Sequence, residues 1–143
     1  MPVLDSAALD TLFRQARTAN GFTAEPVSDE LLRQVYELAA MGPTSMNTQP
    51  TRYVFVRTPE GKARLKACLS PGNVDKTLAA PVTAIVATDT RFHEHMPQVW
   101  HGAGAREMFE GNAALAQATA LRNGTLGGAY LIIAARALGL DCG

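Results

Sequence analysis

The chain has 143 residues, 47% hydrophobic and 18% charged, which suits one domain with a real core. Thirteen basic residues balance thirteen acidic ones and aromatics are few, so nucleic acid, an anionic membrane surface and single-strand stacking are not expected. The two cysteines, Cys68 and Cys142, form no Cys-x-x-Cys, the start lacks the basic and apolar stretches of a signal peptide, and no apolar run is long enough to span a bilayer; a reducing, cytoplasmic setting is expected.

Asp5 to Thr18 reads as a first helix with Leu9, Leu12, Phe13 and Ala16 on one stripe. Asp5 or Ser6 can cap it, and Asn20-Gly21 suits its stop. Arg17, beside Thr18 and Asn20, can grip a phosphate or simply lie solvated at a helix end, where a cation is favoured anyway. Ser28-Asp29-Glu30 opens a second helix, with Leu31, Leu32, Val35, Leu38 and Ala39 as its inward face.

Gly42 ends that helix and begins the run Gly42-Pro43-Thr44-Ser45-Met46-Asn47-Thr48-Gln49-Pro50, which carries no charge. Its hydroxyls, amides and main-chain N–H groups can hold a neutral or electron-rich polar ligand. The same composition also makes an ordinary helix-to-strand turn, and both readings stay open at this point.

Arg52 to Arg57 is β-branched and aromatic and predicts a strand. Thr58 and Pro59 restart a helix with Leu65 and Leu69 inward, Lys62, Arg64 and Lys66 outward, and Cys68 packed as a small apolar residue. A turn at Ser70–Gly72 opens a short helix on which Asn73 and Lys76 project from one side. That pair can read a ring edged with oxygen and nitrogen, or be an N-cap beside a solvated lysine.

Pro81 to Thr88 is almost continuously apolar and predicts a central strand buried on both sides. Asp89 to Gly111 is the least regular part; it holds His93, His95 and His101, read as surface or lid histidines because no carboxylate or cysteine pattern completes a metal site. Asn112 to Leu138 predicts one helix about 40 Å long. Its second half is apolar all round and should be deeply buried. Gly124, Gly127 and Gly128 each cost about 0.8–1 kcal/mol in a helix interior, which implies close approach by another backbone or a flat ligand. A second copy of the same helix across a dimer axis is the economical candidate. Leu138 to Gly143 reads as the approach to another strand, and two strands are few for a sheet with this many helices. A C-terminal continuation is therefore expected, with residues 1–143 forming a single but incomplete domain. P-loop, Rossmann, nucleophile-elbow and zinc-protease motifs are all missing.

Three stretches in order resemble the nitroreductase family. Ala16 to Phe22 is similar to its N-terminal phosphate-binding Arg-Arg-Ser-x-Arg-x-Phe. Gly42 to Pro50 resembles its Pro-Ser-Ser-x-Asn-x-Gln-Pro flavin loop, and Asn73-Val74-Asp75-Lys76 its Asn-x-x-Lys pair. Ala-Arg-Thr-x-Asn-Gly-Phe, Gly-Pro-Thr-Ser-x-Asn and Ala-Pro-Val-Thr-Ala-Ile-Val-Ala together resemble the malonic-semialdehyde reductase (3-hydroxypropionate dehydrogenase) branch of pyrimidine degradation. The resemblance implies an α+β fold with a central mixed sheet flanked by helices, a long buried helix at a homodimer interface, and one FMN at each subunit interface.

Carried over residue by residue, Arg17 and Thr18 address the phosphate end. Pro43, Thr44, Ser45, Asn47 and Gln49 line the cofactor from the partner subunit, and Asn73 and Lys76 meet the pyrimidine edge. An ammonium there stabilises negative charge on reduced flavin. Ala16 and Asn20 stand where the family is usually basic, and the family's Pro-x-x-Gly-Phe-Asp stretch would begin just after Gly143. The implied activity is an FMN-dependent NAD(P)H oxidoreductase reducing a small aldehyde acid. A broad nitro- or quinone-reductase is the alternative enzyme, and a non-catalytic flavin-binding or structural module the alternative outside catalysis. No protein group is assigned as the acid.

Overall fold

The computed structural model describes residues 2–143. Helix α1 spans Ser6–Leu9, capped by Asp5, whose Oδ1 accepts from the Ala8 N–H at 2.7 Å. It then widens into a π-helical turn, Asp10–Arg14, closed by Gln15 N–H on Asp10 O at 3.0 Å. The helix therefore stops before Thr18, and Phe13, expected inside, is 57% exposed. Helix α2 (Asp29–Ala39) starts where Ser28 accepts from the Leu31 N–H at 3.1 Å. Leu32, Val35 and Ala39 form its buried face, while Leu38 is exposed.

Strands β1 (Thr51–Val56) and β2 (Thr83–Thr88) pair antiparallel, Thr51 opposite Thr88 and Val56 opposite Thr83. The sheet is thus two-stranded and antiparallel where the resemblance implies a mixed one. Among the described residues β2 pairs only with β1, and it is not buried on both sides as expected: Ile85 and Val86 are 39% and 43% exposed. Alternation along the strands puts Thr51, Tyr53 and Phe55, with Thr88, Val86 and Ala84, on one face. That face meets helix α7 (Ala113–Ala137), capped by Asn112, and the core where Val35 and Ala39 meet Leu131, Ala134 and Ala135.

Helix α3 (Pro59–Lys66) meets the opposite face at its Val56–Thr83 end, through Gly61 against Val56 and Lys62 on Thr83, and helix α4 (Val74–Ala79) packs beside α3 before the chain enters β2. Thr58 caps α3 as expected, its hydroxyl accepting from Gly61 N–H at 3.1 Å. Two expectations fail there: Cys68 is exposed, and Lys62 points inward and is buried. The stretch from Asp89 to Gly111 is more ordered than its sequence suggests. A 3₁₀ turn (Phe92–His95) and helices α5 (Met96–Val99) and α6 (Ala105–Glu110) enclose Phe92, Met96 and Phe109 against Ala116 and Ala120 of α7. The Phe92 and Phe109 rings meet edge-to-face, 4.9 Å between centroids.

The glycines of α7 admit the chain's own sheet, not a second helix. A Cβ on Gly127 would overlap the Thr51 hydroxyl and lie 2.7 Å from Thr51 Cβ. One on Gly124 would overlap the Thr88 hydroxyl. Thr51 and Thr88 are register partners, so the first rung of the sheet sits directly on the helix backbone. Tyr53 adds a hydrogen bond from its hydroxyl to Gly127 O at 2.9 Å. The helix is not buried all round: Leu121, Leu126 and Ile132 are 65%, 46% and 42% exposed.

Candidate functional site

The uncharged run after α2 is a loop held by many specific contacts. Gly42 lets the Tyr130 ring approach so closely that a Cβ would lie 2.7 Å from its Cγ. Ser45–Asn47 forms a 3₁₀ turn in which Met46 and Asn47 have φ of 51° and 53°, and Gln49 follows at 40°. Left-handed backbone costs a non-glycine residue roughly 1–2 kcal/mol. Three such residues within four positions persist because surrounding contacts hold them.

Those contacts are specific. Ser45 N–H donates to Asn123 Oδ1 at 2.8 Å, and Asn123, buried within α7, donates its own amide to Thr119 O at 2.8 Å. Asn47 donates to Val99 O at 2.8 Å. Gln49 N–H donates to the Thr44 hydroxyl at 3.1 Å and its side-chain amide to Asn47 Oδ1 at 2.6 Å. Pro50 is buried, and its carbonyl accepts from Asp89 N–H at 2.7 Å. Arg52 donates to Gln49 O at 2.9 Å and to the Asp89 carboxylate at 2.7 Å, fastening the exit of the loop. Thr48 Oγ1 is buried without a partner. With the backbone fixed this way, Pro43, Ser45, Asn47 and Gln49 are exposed and Thr44 is half-buried. Asn123 has no place in the sequence motifs. Its one signal is an amide side chain in an apolar helix, away from any cap.

The second group of polar residues lies at the other end of the sheet. Asn73 occupies the N-cap position of α4 but makes no side-chain cap bond, leaving its amide uncommitted and exposed. Lys76 is half-buried and lines a groove of about 790 Å³ with Phe22, Leu31, Thr83, Ala135 and Leu140. Among the described residues it has no carboxylate partner. Burial pushes the nearby Lys62 ammonium below the usual lysine range.

Arg17 is exposed and donates to Arg14 O at 3.0 Å and Ala16 O at 2.7 Å, at the end of the π-helical turn. Thr18 is exposed beside it. Ala19 N–H bonds Cys142 O at 2.9 Å, which ties this segment to the chain's last residues. Gly21 and Phe22 reach the Lys76 groove; Arg17, Thr18, Asn73 and the loop residues Pro43 to Gln49 do not line it. The loop joins the sheet at the Thr51–Thr88 rung, and α4 joins it at the Val56–Thr83 rung. Five strand steps, roughly 17 Å, separate the two rungs. Of the nine residues, only Lys76 lines that groove.

The histidines form no centre of their own. His95 Nε2 lies 3.8 Å from the Asp89 carboxylate already held by Arg52, and His93 Nδ1 is buried without a partner. Among the described residues no three His, Cys, Asp or Glu side chains gather as a metal site.

Comparison with known proteins identifies what this chain is similar to. The sequence profile of the nitroreductase family matches residues 13–143. A Burkholderia lata protein provisionally named NADH dehydrogenase/NAD(P)H nitroreductase is 56% identical over all 143 residues, which cover 73% of its own length. In three dimensions, a Bacillus subtilis protein provisionally called a nitroreductase superposes with a TM-score of 0.83 at 22% identity, over 96% of this chain and 75% of that one. Another, from Exiguobacterium sibiricum and solved in complex with FMN, superposes with a TM-score of 0.79 at 22% identity, over 99% of this chain and 74% of that one.

Proposed function

The chain belongs to the nitroreductase family, and from that premise we propose that it is an FMN-dependent NAD(P)H oxidoreductase whose cofactor site is built between two copies. The observation that carries this reading is the separation of the polar residues. An uncharged, preset loop stands at one end of the sheet, and toward the other stand an uncommitted amide and an ammonium that, among the described residues, has no carboxylate partner.

The donor set suits a flavin mononucleotide. Asn73 and Lys76 would hold the pyrimidine edge, Arg17 and Thr18 the phosphate end, and Pro43, Thr44, Ser45, Asn47 and Gln49 of the partner copy would line the ring. Bound there, FMN would supply hydride-transfer chemistry between NAD(P)H and a small acceptor. The protein's own contribution is positional and electrostatic: a rigid loop that needs no ordering on binding, and a cation where negative charge develops. The exposed apolar side chains Leu121, Leu126 and Ile132 of α7, with Val54 and Ile85 on the open sheet face, support a second copy as the cover. Among the described residues no helix is long and apolar enough to cross a membrane.

The favoured acceptor is a short aldehyde acid such as malonic semialdehyde, reduced to the hydroxy acid. The motifs around Arg17, Pro43–Asn47 and Ala80–Ala87 support it. A broad nitro- or quinone-reductase is the second reading, favoured by the name of the 56%-identical relative. Purified protein should take up FMN and show bound-flavin absorbance; a protein that stays colourless after reconstitution overturns the proposal. Given flavin, faster NADPH oxidation with malonic semialdehyde than with a nitroaromatic selects the first acceptor, and the reverse selects the second.

A further inference from the structure

Lys62 is a lysine in the wrong place for an ordinary surface residue. It is 7% exposed, and no carboxylate pairs with it among the described residues. Its ammonium has three N–H donors and finds three neutral oxygens: Thr77 O at 2.8 Å, Ala80 O, and Thr83 Oγ1 at 3.2 Å. Burying a cation without a counter-charge is costly, and an apolar residue of similar size often serves stability as well or better. Packing therefore gives little reason to keep a lysine here.

What the ammonium grips supplies the reason. Thr77 and Ala80 belong to the last turn and C-cap of α4, where unsatisfied carbonyls favour a cation. Thr83 opens β2 on the sheet face opposite α7. Lys62, itself in α3, thus ties three elements together at one atom. Helix α4 has six residues, too few to hold itself in place. At its N-terminus stands Asn73 with an uncommitted amide, and one turn along it stands Lys76 on the groove wall.

We propose that Lys62 is a positioning residue: through the C-terminal carbonyls of α4 it fixes where Asn73 and Lys76 stand, and so sets their fit to the edge of the flavin ring. The flavin part of this inference rests on the function proposed above; the fixing of the segment does not.

Lys62→Met in the full chain tests both parts. In protein free of cofactor, amide hydrogen exchange over residues 73–80 should speed up about tenfold or more, while β1 and α7 keep wild-type protection. Unchanged exchange over 73–80 overturns the proposal whether or not flavin binds. In FMN-loaded protein, the dissociation constant should rise about tenfold, and the flavin reduction potential should fall in the same direction as in Lys76→Met. The Lys62→Met/Lys76→Met pair should be less than additive, because both changes act on one contact. A residue that only supports the fold would lower the melting temperature and leave the FMN affinity and potential of the folded fraction at wild type; that result also overturns the proposal. Should Lys62→Met fail to fold, Thr83→Val removes one of the three acceptors and should move exchange and potential the same way by a smaller factor. A wild-type chain that takes no FMN defeats the proposed function, while the exchange measurement still decides whether Lys62 fixes α4.

Discussion

Asn123 shows how one buried side chain can govern a loop more than seventy residues earlier in the chain. Its oxygen accepts the Ser45 N–H and its amide is spent on Thr119 O, so its orientation is fixed by the helix it sits in. The loop then inherits the stiffness of α7. Asn123→Ala should cost about 1–3 kcal/mol in a denaturant titration, the range for orphaning a hydrogen-bonding partner in a partly buried site. Amides from Ser45 to Gln49 should exchange faster in the same variant. Wild-type exchange there would mean that Val99 and Thr44 suffice to hold the turn. The role of Asn123 was not legible in the sequence because its partner is distant and no local spacing marks it. Lys62 escaped for a related reason: a basic residue in a charged amphipathic helix reads as solvated until the three oxygens around it are known.

Among the elements, the caps were legible because capping is local. Asp5, Ser28 and Thr58 each cap the helix the sequence starts there, and the strands fall within two residues of their β-branched runs. The burial of β2 was not legible, since an apolar run looks the same in a central strand and in an edge strand awaiting cover. The glycines of α7 were legible as sites of close approach, but the approaching partner was not. Their contacts predict opposite outcomes at neighbouring positions. Gly127→Ala gains helix propensity of about 1 kcal/mol but drives a methyl into Thr51, and overpacking of that kind costs typically 1–3 kcal/mol. Gly128→Ala meets only Val86 Cγ1 at 3.5 Å and should raise stability by about 0.5–1 kcal/mol. Thermal melts of the two variants check the difference in sign.

At the scale of the whole molecule, the function proposed above needs two copies, and the exposed apolar side chains of α7 offer surface for a second one. If two copies complete the site, dimerisation and cofactor binding are linked. Leu121→Glu, which puts a charge at a side chain 65% exposed in the isolated protomer, should shift the sedimentation profile toward monomer and weaken FMN binding together. A monomeric variant that keeps wild-type FMN affinity would place the whole site within one copy. The α+β architecture was legible through the motif order alone. Which residues meet around a cofactor came from the resemblance alone, because motifs order residues along a chain and say nothing about which residues meet.

The left-handed turn at Met46, Asn47 and Gln49 has a consequence for protein engineering. Glycine at position 49 would relieve an unfavourable backbone angle without a steric penalty, so selection for heat resistance alone will find it acceptable. The same change deletes the amide that braces Asn47 and returns conformational freedom to the loop that, on the function proposed above, lines the cofactor. On that proposal, durability and ligand recognition pull in opposite directions along this short arc of backbone, and a library built around it needs a binding screen alongside the thermal one.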